Sequence, residues 1–162
     1  MSKMLLVVDM QEGFRYPTCE EIIDNVKEVC SKFEIVVFSK FMNEKNSNFE
    51  KFLGWKKFQN ENDRKIMKEF EDIKKEVIAH KGYGVLNNTF KEFILNKNIT
   101  KVYLCGIYSD VSIIKCAMDL FDLGVECFLY EDACSSRHST IVHKSAIESI
   151  RTIIGKERVL KL

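Results

Sequence analysis

The stretch Val102–Ser136 constrains the fold more than any other part of the chain, because it has the pattern of a complete strand–helix–strand unit. The apolar run Val102–Cys105 is typical of a strand buried in a parallel sheet. Apolar side chains at helical spacing follow, up to Gly124, a residue suited to the positive φ at a helix C-terminus. Cys127–Tyr130 predicts the second strand. Ligands of open parallel sheets bind at the carboxyl ends of strands, so Gly106–Ser112 is the expected site.

Strands and helices alternate along the rest of the chain. Further strands are predicted at Met4–Val8, Ile35–Phe38, Glu76–His80 and Val159–Leu162. Helices are predicted between them, including one over Asp63–Lys74. With right-handed crossovers, this order predicts an α/β fold with three layers: a doubly wound, parallel six-stranded sheet covered by helices. The length of 162 residues suits one domain, residues 1–162.

Composition excludes several classes of partner. The net charge of +1 gives no field for nucleic acid or acidic lipid. No apolar run approaches the roughly 20 residues that a membrane helix needs, and the N-terminal apolar run is too short for a signal peptide. The six cysteines form no CxxC pair, and a domain of this size needs no disulfides. We therefore expect reduced thiols, a cytoplasmic location and a small-molecule partner.

The segment Ser39–Asn62 is rich in aromatic residues among lysines and asparagines. Such interleaving can form a nucleic-acid platform. The neutral overall charge instead favours a loop that covers a substrate or contacts another subunit.

Three residues that could carry chemistry follow predicted strands. Asp9 ends the first strand, Lys81 ends the third, and Ser112 comes just after the fourth. Because strand ends converge at one edge of a doubly wound sheet, we expect these three side chains to share a site.

Local sequence around these positions resembles a known family. The segments LLVVDMQEGF, GIYSDVS and EDACSS, together with Lys81, are similar to those of isochorismatase-like cysteine hydrolases, which include nicotinamidases and related amidohydrolases. The resemblance implies sheet order 3-2-1-4-5-6 and a dimer or tetramer. It also implies a cis peptide between Ile107 and Tyr108, which orients backbone N–H groups as an oxyanion hole. Phe14 is expected to wall the pocket, so Phe14, Ile107 and Tyr108 are the predicted substrate-binding residues.

The same resemblance implies a catalytic aspartate at Asp9, a catalytic lysine at Lys81 and a nucleophilic cysteine at the position of Ser112. In such a site the aspartate takes the thiol proton, the lysine favours the thiolate, and the thiolate attacks an amide-type carbon. Serine is a much weaker acid: a free thiol has a pKa of about 8.5 and an aliphatic hydroxyl one near that of water, about 15.7. The gap of roughly seven units corresponds to at most about 10 kcal/mol.

Three explanations of Ser112 are therefore open. The serine can be an introduced substitution that traps substrate. The protein can hydrolyse a vinyl ether without a nucleophile, with Asp9 as the acid, as the resemblance to isochorismate hydrolases implies. It can also be a binding protein that has lost activity. Cys116 is no simple replacement, because it lies one turn deeper along the helix.

The sequence also departs from the nicotinamidases, which carry a histidine-rich metal motif after the second strand. Here that stretch is FSKFMNEKNSNF, without histidine. His80, His138 and His143 lack metal-ligand spacing. We therefore expect neither metal nor cofactor. The expected function is hydrolysis of a C–N bond in a small molecule, with vinyl-ether hydrolysis or inactive binding as the alternatives.

Overall fold

A six-stranded sheet forms the centre of the protein in the computed structural model, which describes residues 2–162. Its strands are β1 (Ser2–Val8), β2 (Val36–Phe41), β3 (Glu76–His80), β4 (Ile99–Ile107), β5 (Glu126–Ser135) and β6 (Val159–Leu160). They lie in the order β3-β2-β1-β4-β5-β6, and every neighbouring pair is parallel. This order confirms the predicted doubly wound sheet.

Helices cover both faces of the sheet. They are α1 (Pro17–Glu20), α2 (Ile23–Cys30), α3 (Asn48–Leu53), α4 (Glu61–Arg64), α5 (Asn88–Asn96), α6 (Ile114–Asp122) and α7 (Thr140–Ile154). Between residues 2 and 162, none of these helices is long and apolar enough to cross a membrane.

The predicted helix over Asp63–Lys74 is wrong. Helix α4 stops at Arg64, and the backbone beyond it pairs with the loop after β1 instead of continuing the helix. The Glu12 N–H donates to the Lys65 carbonyl at 2.8 Å, and the Met67 N–H donates to the Met10 carbonyl at 3.1 Å. These tertiary hydrogen bonds satisfy the backbone groups that a helix would otherwise have paired internally.

Strand β1 lies at the centre of the core and fixes where the first site residue emerges. Its apolar run Met4–Val8 is fully buried, as expected for a central parallel strand. Val8 is paired with Gly106 of β4. Gly106 has φ +106°, and a Cβ there would collide with the Val8 backbone. A glycine at 106 therefore lets the ends of β1 and β4 approach each other closely.

The carboxyl edge of the sheet assembles the site. Asp9 follows β1, and His80 is the last residue of β3. Strand β4 ends in a cis peptide between Ile107 and Tyr108, as the family resemblance implied. A single π-helical turn, Ser109–Ile113, then connects β4 to α6.

Candidate active site

A cavity of about 290 Å³ opens at the carboxyl edge of the sheet. Asp9 and Ser112 both line it, so the structure brings these two predicted residues together. Aromatic rings form most of the remaining wall. They include those of Phe14, Phe49 and Trp55. The site therefore combines a few polar groups with an apolar enclosure, which is the usual composition of a small-molecule pocket.

Asp9 is held rigidly at the base of the cavity. Its carboxylate is almost fully buried, and its backbone has φ +53°. The Asp9 N–H donates to Ser39 Oγ at 3.0 Å, and Ser39 Oγ–H in turn donates to Asp9 Oδ1 at 2.5 Å. His80 Nε2 lies 2.7 Å from the same oxygen. Both bonds use Oδ1, and among residues 2–162 Oδ2 has no hydrogen-bond partner.

His80 and Asp9 form a coupled pair. His80 Nδ1 lies 2.9 Å from the Gly82 carbonyl oxygen, which can only accept, so Nδ1 carries a hydrogen. The contact between Nε2 and Asp9 then holds one proton. Burial alone lowers the pKa of His80. The Asp9 carboxylate and the two hydrogen bonds outweigh burial, so the pKa of His80 is raised overall. Below that raised pKa, the pair is an imidazolium facing a carboxylate, with no net charge.

The structure does not bring Lys81 into this cavity. Its ammonium lies 2.8 Å from Glu44 Oε1, and its side chain is 65% exposed. The cause is strand alternation, because successive side chains of a strand point to opposite sides. His80 points inward in phase with the buried Ile78, and Lys81 follows outside the sheet. The buried partner of Asp9 is thus His80, which the sequence prediction missed. Its position two residues after the apolar Ile78 could have indicated that the His80 side chain points to the buried side of the strand.

Ser112 lies in the π-helical turn and is 8% exposed. Within residues 2–162, no hydrogen bond joins its hydroxyl to Asp9 or His80. Both nitrogens of His80 are already bonded, so His80 cannot serve Ser112 as the histidine of a serine triad does. Cys116 is fully enclosed in α6, where burial raises the pKa of its thiol, so it does not replace a nucleophile at 112.

The predicted substrate-binding residues divide into two groups. Phe14 and Tyr108 line the cavity, and their rings meet edge to face with centroids 5.3 Å apart. The side chain of Ile107 does not line the cavity but is fully buried in the hydrophobic core. Its contribution to the site is therefore its position before the cis peptide, not a side-chain contact.

The aromatic segment Ser39–Asn62 covers the cavity. Phe49 and Trp55 line the cavity and pack against each other with centroids 5.7 Å apart. Phe58 is fully buried and packs against Phe14, with ring centroids 4.1 Å apart. These rings are committed to the pocket wall and core, which agrees with a substrate-covering loop and not with an open stacking platform.

The polar residues after β2, where the resemblance to nicotinamidases implied a metal motif, bond within the loop. Asn43 is fully buried there, and its amide donates to the carbonyls of Trp55 and Lys57. Its Oδ1 accepts from Ser47 Oγ at 2.5 Å. These polar groups are used in holding the loop together. Across the described part of the chain, no three His, Cys, Asp or Glu side chains lie close enough together to hold a metal ion.

The fold and this site define a doubly wound α/β protein with a buried Asp–His pair at the base of an aromatic cavity. The isochorismatase domain model matches residues 3–157, and the chain belongs to that family. A comparison with curated proteins finds no match.

Solved structures share the fold at low sequence identity. An isochorismatase-like hydrolase from Alkaliphilus metalliredigens has a TM-score of 0.86 and 15% identity, over 94% of this chain and 92% of that one. N-carbamoylsarcosine amidase from Thermoplasma acidophilum has a TM-score of 0.84 and 17% identity, over 96% of this chain and 94% of that one. Pyrazinamidase of Pyrococcus horikoshii, solved in complex with zinc, has a TM-score of 0.82 and 19% identity, over 99% of this chain and 98% of that one. These likenesses establish the fold.

Proposed function

We propose that this chain hydrolyses a C–N bond in a small molecule, with Asp9 as the general base. The observation that carries the proposal is the Asp9–His80 pair at the base of a cavity walled by aromatic rings. Family membership and the amidases among the structural neighbours support the same class of reaction.

Water is the proposed nucleophile. Since an aliphatic hydroxyl has a pKa near that of water, Ser112 offers little advantage in ionisation over a water molecule in the same cavity. Asp9 Oδ2 takes the proton from water as the oxygen attacks the carbonyl carbon. The same oxygen then gives that proton to the leaving nitrogen. His80 and Ser39 remain on Oδ1 and orient the carboxylate throughout.

Lys81 is outside this mechanism, because its charge is engaged with Glu44 at the surface. Ser112 is proposed to bind the substrate carbonyl or the attacking water. Its place at the start of a helical segment favours contact with developing negative charge.

The test is a screen of small amides with the wild-type protein and matched variants. Asp9→Asn, which keeps the size of the side chain, is expected to lower kcat about 10²–10⁴-fold. Ser112→Ala is expected to lower kcat less than Asp9→Asn does, because residue 112 contributes a hydrogen bond and forms no covalent bond. If Ser112→Ala is as inactive as Asp9→Asn, the water mechanism is wrong and a covalent one is favoured.

A second candidate is nucleophile-free hydrolysis of a vinyl ether. It is favoured by the lack of a base bonded to Ser112 within the described residues. In that reaction Asp9 would give a proton to the substrate, whereas in amide hydrolysis it takes one from water. Isochorismate, included in the amide screen, separates the two. No turnover of any compound would favour the inactive binding protein.

We also propose a cytoplasmic homo-oligomer, a dimer or tetramer. All six cysteines are free and buried, which fits a reducing compartment. Phe52 is 76% exposed and Phe121 is 64% exposed, and exposed aromatic rings are typical of contact surfaces. Sedimentation equilibrium measures the mass directly, and a monomer at all concentrations would contradict this part of the proposal.

A further inference from the structure

A buried hydrogen bond joins α7 to the π-helical turn that carries Ser112. His143 Nδ1 lies 3.0 Å from Ser109 Oγ, although the two residues are 34 positions apart in the chain. Ser109 is fully buried and is the first residue of the turn, which ends at Ile113. The bond therefore ties the turn to a helix from a distant part of the chain.

Helix α7 is a firm anchor for this bond. Its buried face consists of Ala146, Ile147, Ile150 and Ile154. His143 lies three residues before Ala146, which places it on the same face, at the end nearest the N-terminus. The first turn of α7 is also capped, because Ser139 Oγ accepts from the Val142 N–H at 3.2 Å. A packed and capped helix holds a side chain more precisely than a loop can.

The imidazole of His143 suits a lasting bond to a hydroxyl. Burial lowers the pKa of His143, and this effect outweighs the nearby carboxylates of Asp110, Glu131 and Asp132. The ring is therefore neutral at pH 7. A hydroxyl can both donate and accept, so Ser109 can pair with Nδ1 in either neutral tautomer. Since Ser109 is fully buried, water does not replace this partner if it is lost.

The other polar side chains of the turn do not hold it in place. Asp110 Oδ1 is buried and has no hydrogen-bond partner among residues 2–162. Asp110 Oδ2 lies 3.9 Å from His138 Nε2, which is too far for a hydrogen bond. In the described part of the chain, the bond between Ser109 and His143 is the only hydrogen bond made by a side chain of this turn.

We infer that His143 is a positioning residue, which acts through Ser109 to fix the π-helical turn and so the placement of the Ser112 hydroxyl in the cavity. The inference deepens the proposed function and rests on it for the role of Ser112. His143 does not line the cavity, so it touches neither substrate nor water there. Its effect on the reaction passes only through the turn.

The first test uses a thiol at residue 112 as a reporter and needs no turnover. The protein with Ser112→Cys is alkylated with iodoacetamide at pH 7, and the rate at residue 112 is followed by peptide mapping. Adding His143→Leu is expected to slow this rate about fivefold, because the thiolate loses its alignment with the N–H groups of the turn. An equal or faster rate overturns the inference.

Further variants separate the hydrogen bond from general loosening of the fold. Ser109→Ala should slow alkylation as His143→Leu does, and the two together should be no slower than either alone, because both remove the same bond. His143→Asn restores a polar group near the position of Nδ1 and should keep the rate within about twofold of the parent.

Ile154→Val is the matched control in α7. It removes a buried methyl group from the same helix face, about 16 Å from His143 along the helix axis. It should leave the alkylation rate at residue 112 unchanged. If it slows alkylation as much as His143→Leu does, the effect is a general loss of packing and the inference is refuted.

The second test uses a substrate found in the amide screen. His143→Leu is expected to lower kcat about fivefold in the wild-type background. In the Ser112→Ala background the same change should lower kcat less than about twofold, because no hydroxyl remains to be placed. An equal loss in both backgrounds would show that His143 does not act through Ser112.

The two proposals can therefore fail separately. A protein that hydrolyses nothing, but whose thiol at residue 112 depends on His143, would keep the positioning role and end the proposed function. Hydrolysis that His143→Leu and Ser109→Ala leave unchanged would keep the proposed function and end the positioning role.

Discussion

The buried Asp9–His80 pair should contribute strongly to stability, and a double-mutant cycle measures how much. His80→Gln removes the imidazolium and leaves the Asp9 carboxylate, which is 3% exposed, with Ser39 as its remaining side-chain donor. Removing one partner of a buried ion pair typically costs about 3–5 kcal/mol. Asp9→Asn should cost a similar amount, because it leaves the imidazolium without its counter-charge.

The double variant should cost less than the sum of the two. When both partners are neutral amides, no uncompensated buried charge remains, so we expect a coupling free energy of about 2 kcal/mol or more. Urea unfolding followed by circular dichroism gives the four free energies of unfolding. Strict additivity, within about 0.5 kcal/mol, would refute the pair as a coupled unit.

The pH dependence of the same cycle follows from the raised pKa of His80. Because the folded-state pKa lies above the unfolded value of about 6.5, protonation favours the folded state below that pH. The contribution is lost as pH rises through the raised pKa, since a neutral His80 presents a lone pair at Nε2 to Asp9. The stability difference between wild type and His80→Gln should therefore be larger at pH 6 than well above the folded pKa. A difference that grows with pH would contradict the protonated pair.

Three further outcomes are expected. Ser112→Cys should alkylate with iodoacetamide faster than the six native cysteines, all buried with raised pKa values; peptide mapping that finds a native cysteine modified first would contradict this. Lys81→Ala should change kcat less than about threefold and the free energy of unfolding by about 1 kcal/mol or less, because the Lys81–Glu44 ion pair is exposed. A hundredfold loss of activity would instead favour the catalytic role that the family resemblance implied for Lys81. Gly106→Ala should destabilise by roughly 3 kcal/mol or more, since its Cβ meets the Val8 backbone at φ +106°; a wild-type urea midpoint would refute the close approach.

Much of the fold could be predicted because it depends on local pattern. Continuous apolar runs marked the buried parallel strands, and β3 has the bounds that the sequence pattern indicated. The predicted helix over Asp63–Lys74 failed because hydrogen bonds from a distant loop, not local propensity, decide that backbone. Similarly, the family resemblance located the cis peptide after Ile107, whereas the side chain of Ile107 belongs to the core.

The sequence pattern by itself predicted a doubly wound, six-stranded parallel sheet and the edge at which Asp9 and Ser112 meet, since strand ends in this topology converge whatever their side chains; the order of the strands came from the family resemblance. Only the tertiary structure decided that His80 and not Lys81 faces Asp9. The physical reason is that adjacent residues at a strand end differ by one step of the pleat, which sends one side chain into the core and the next into solvent.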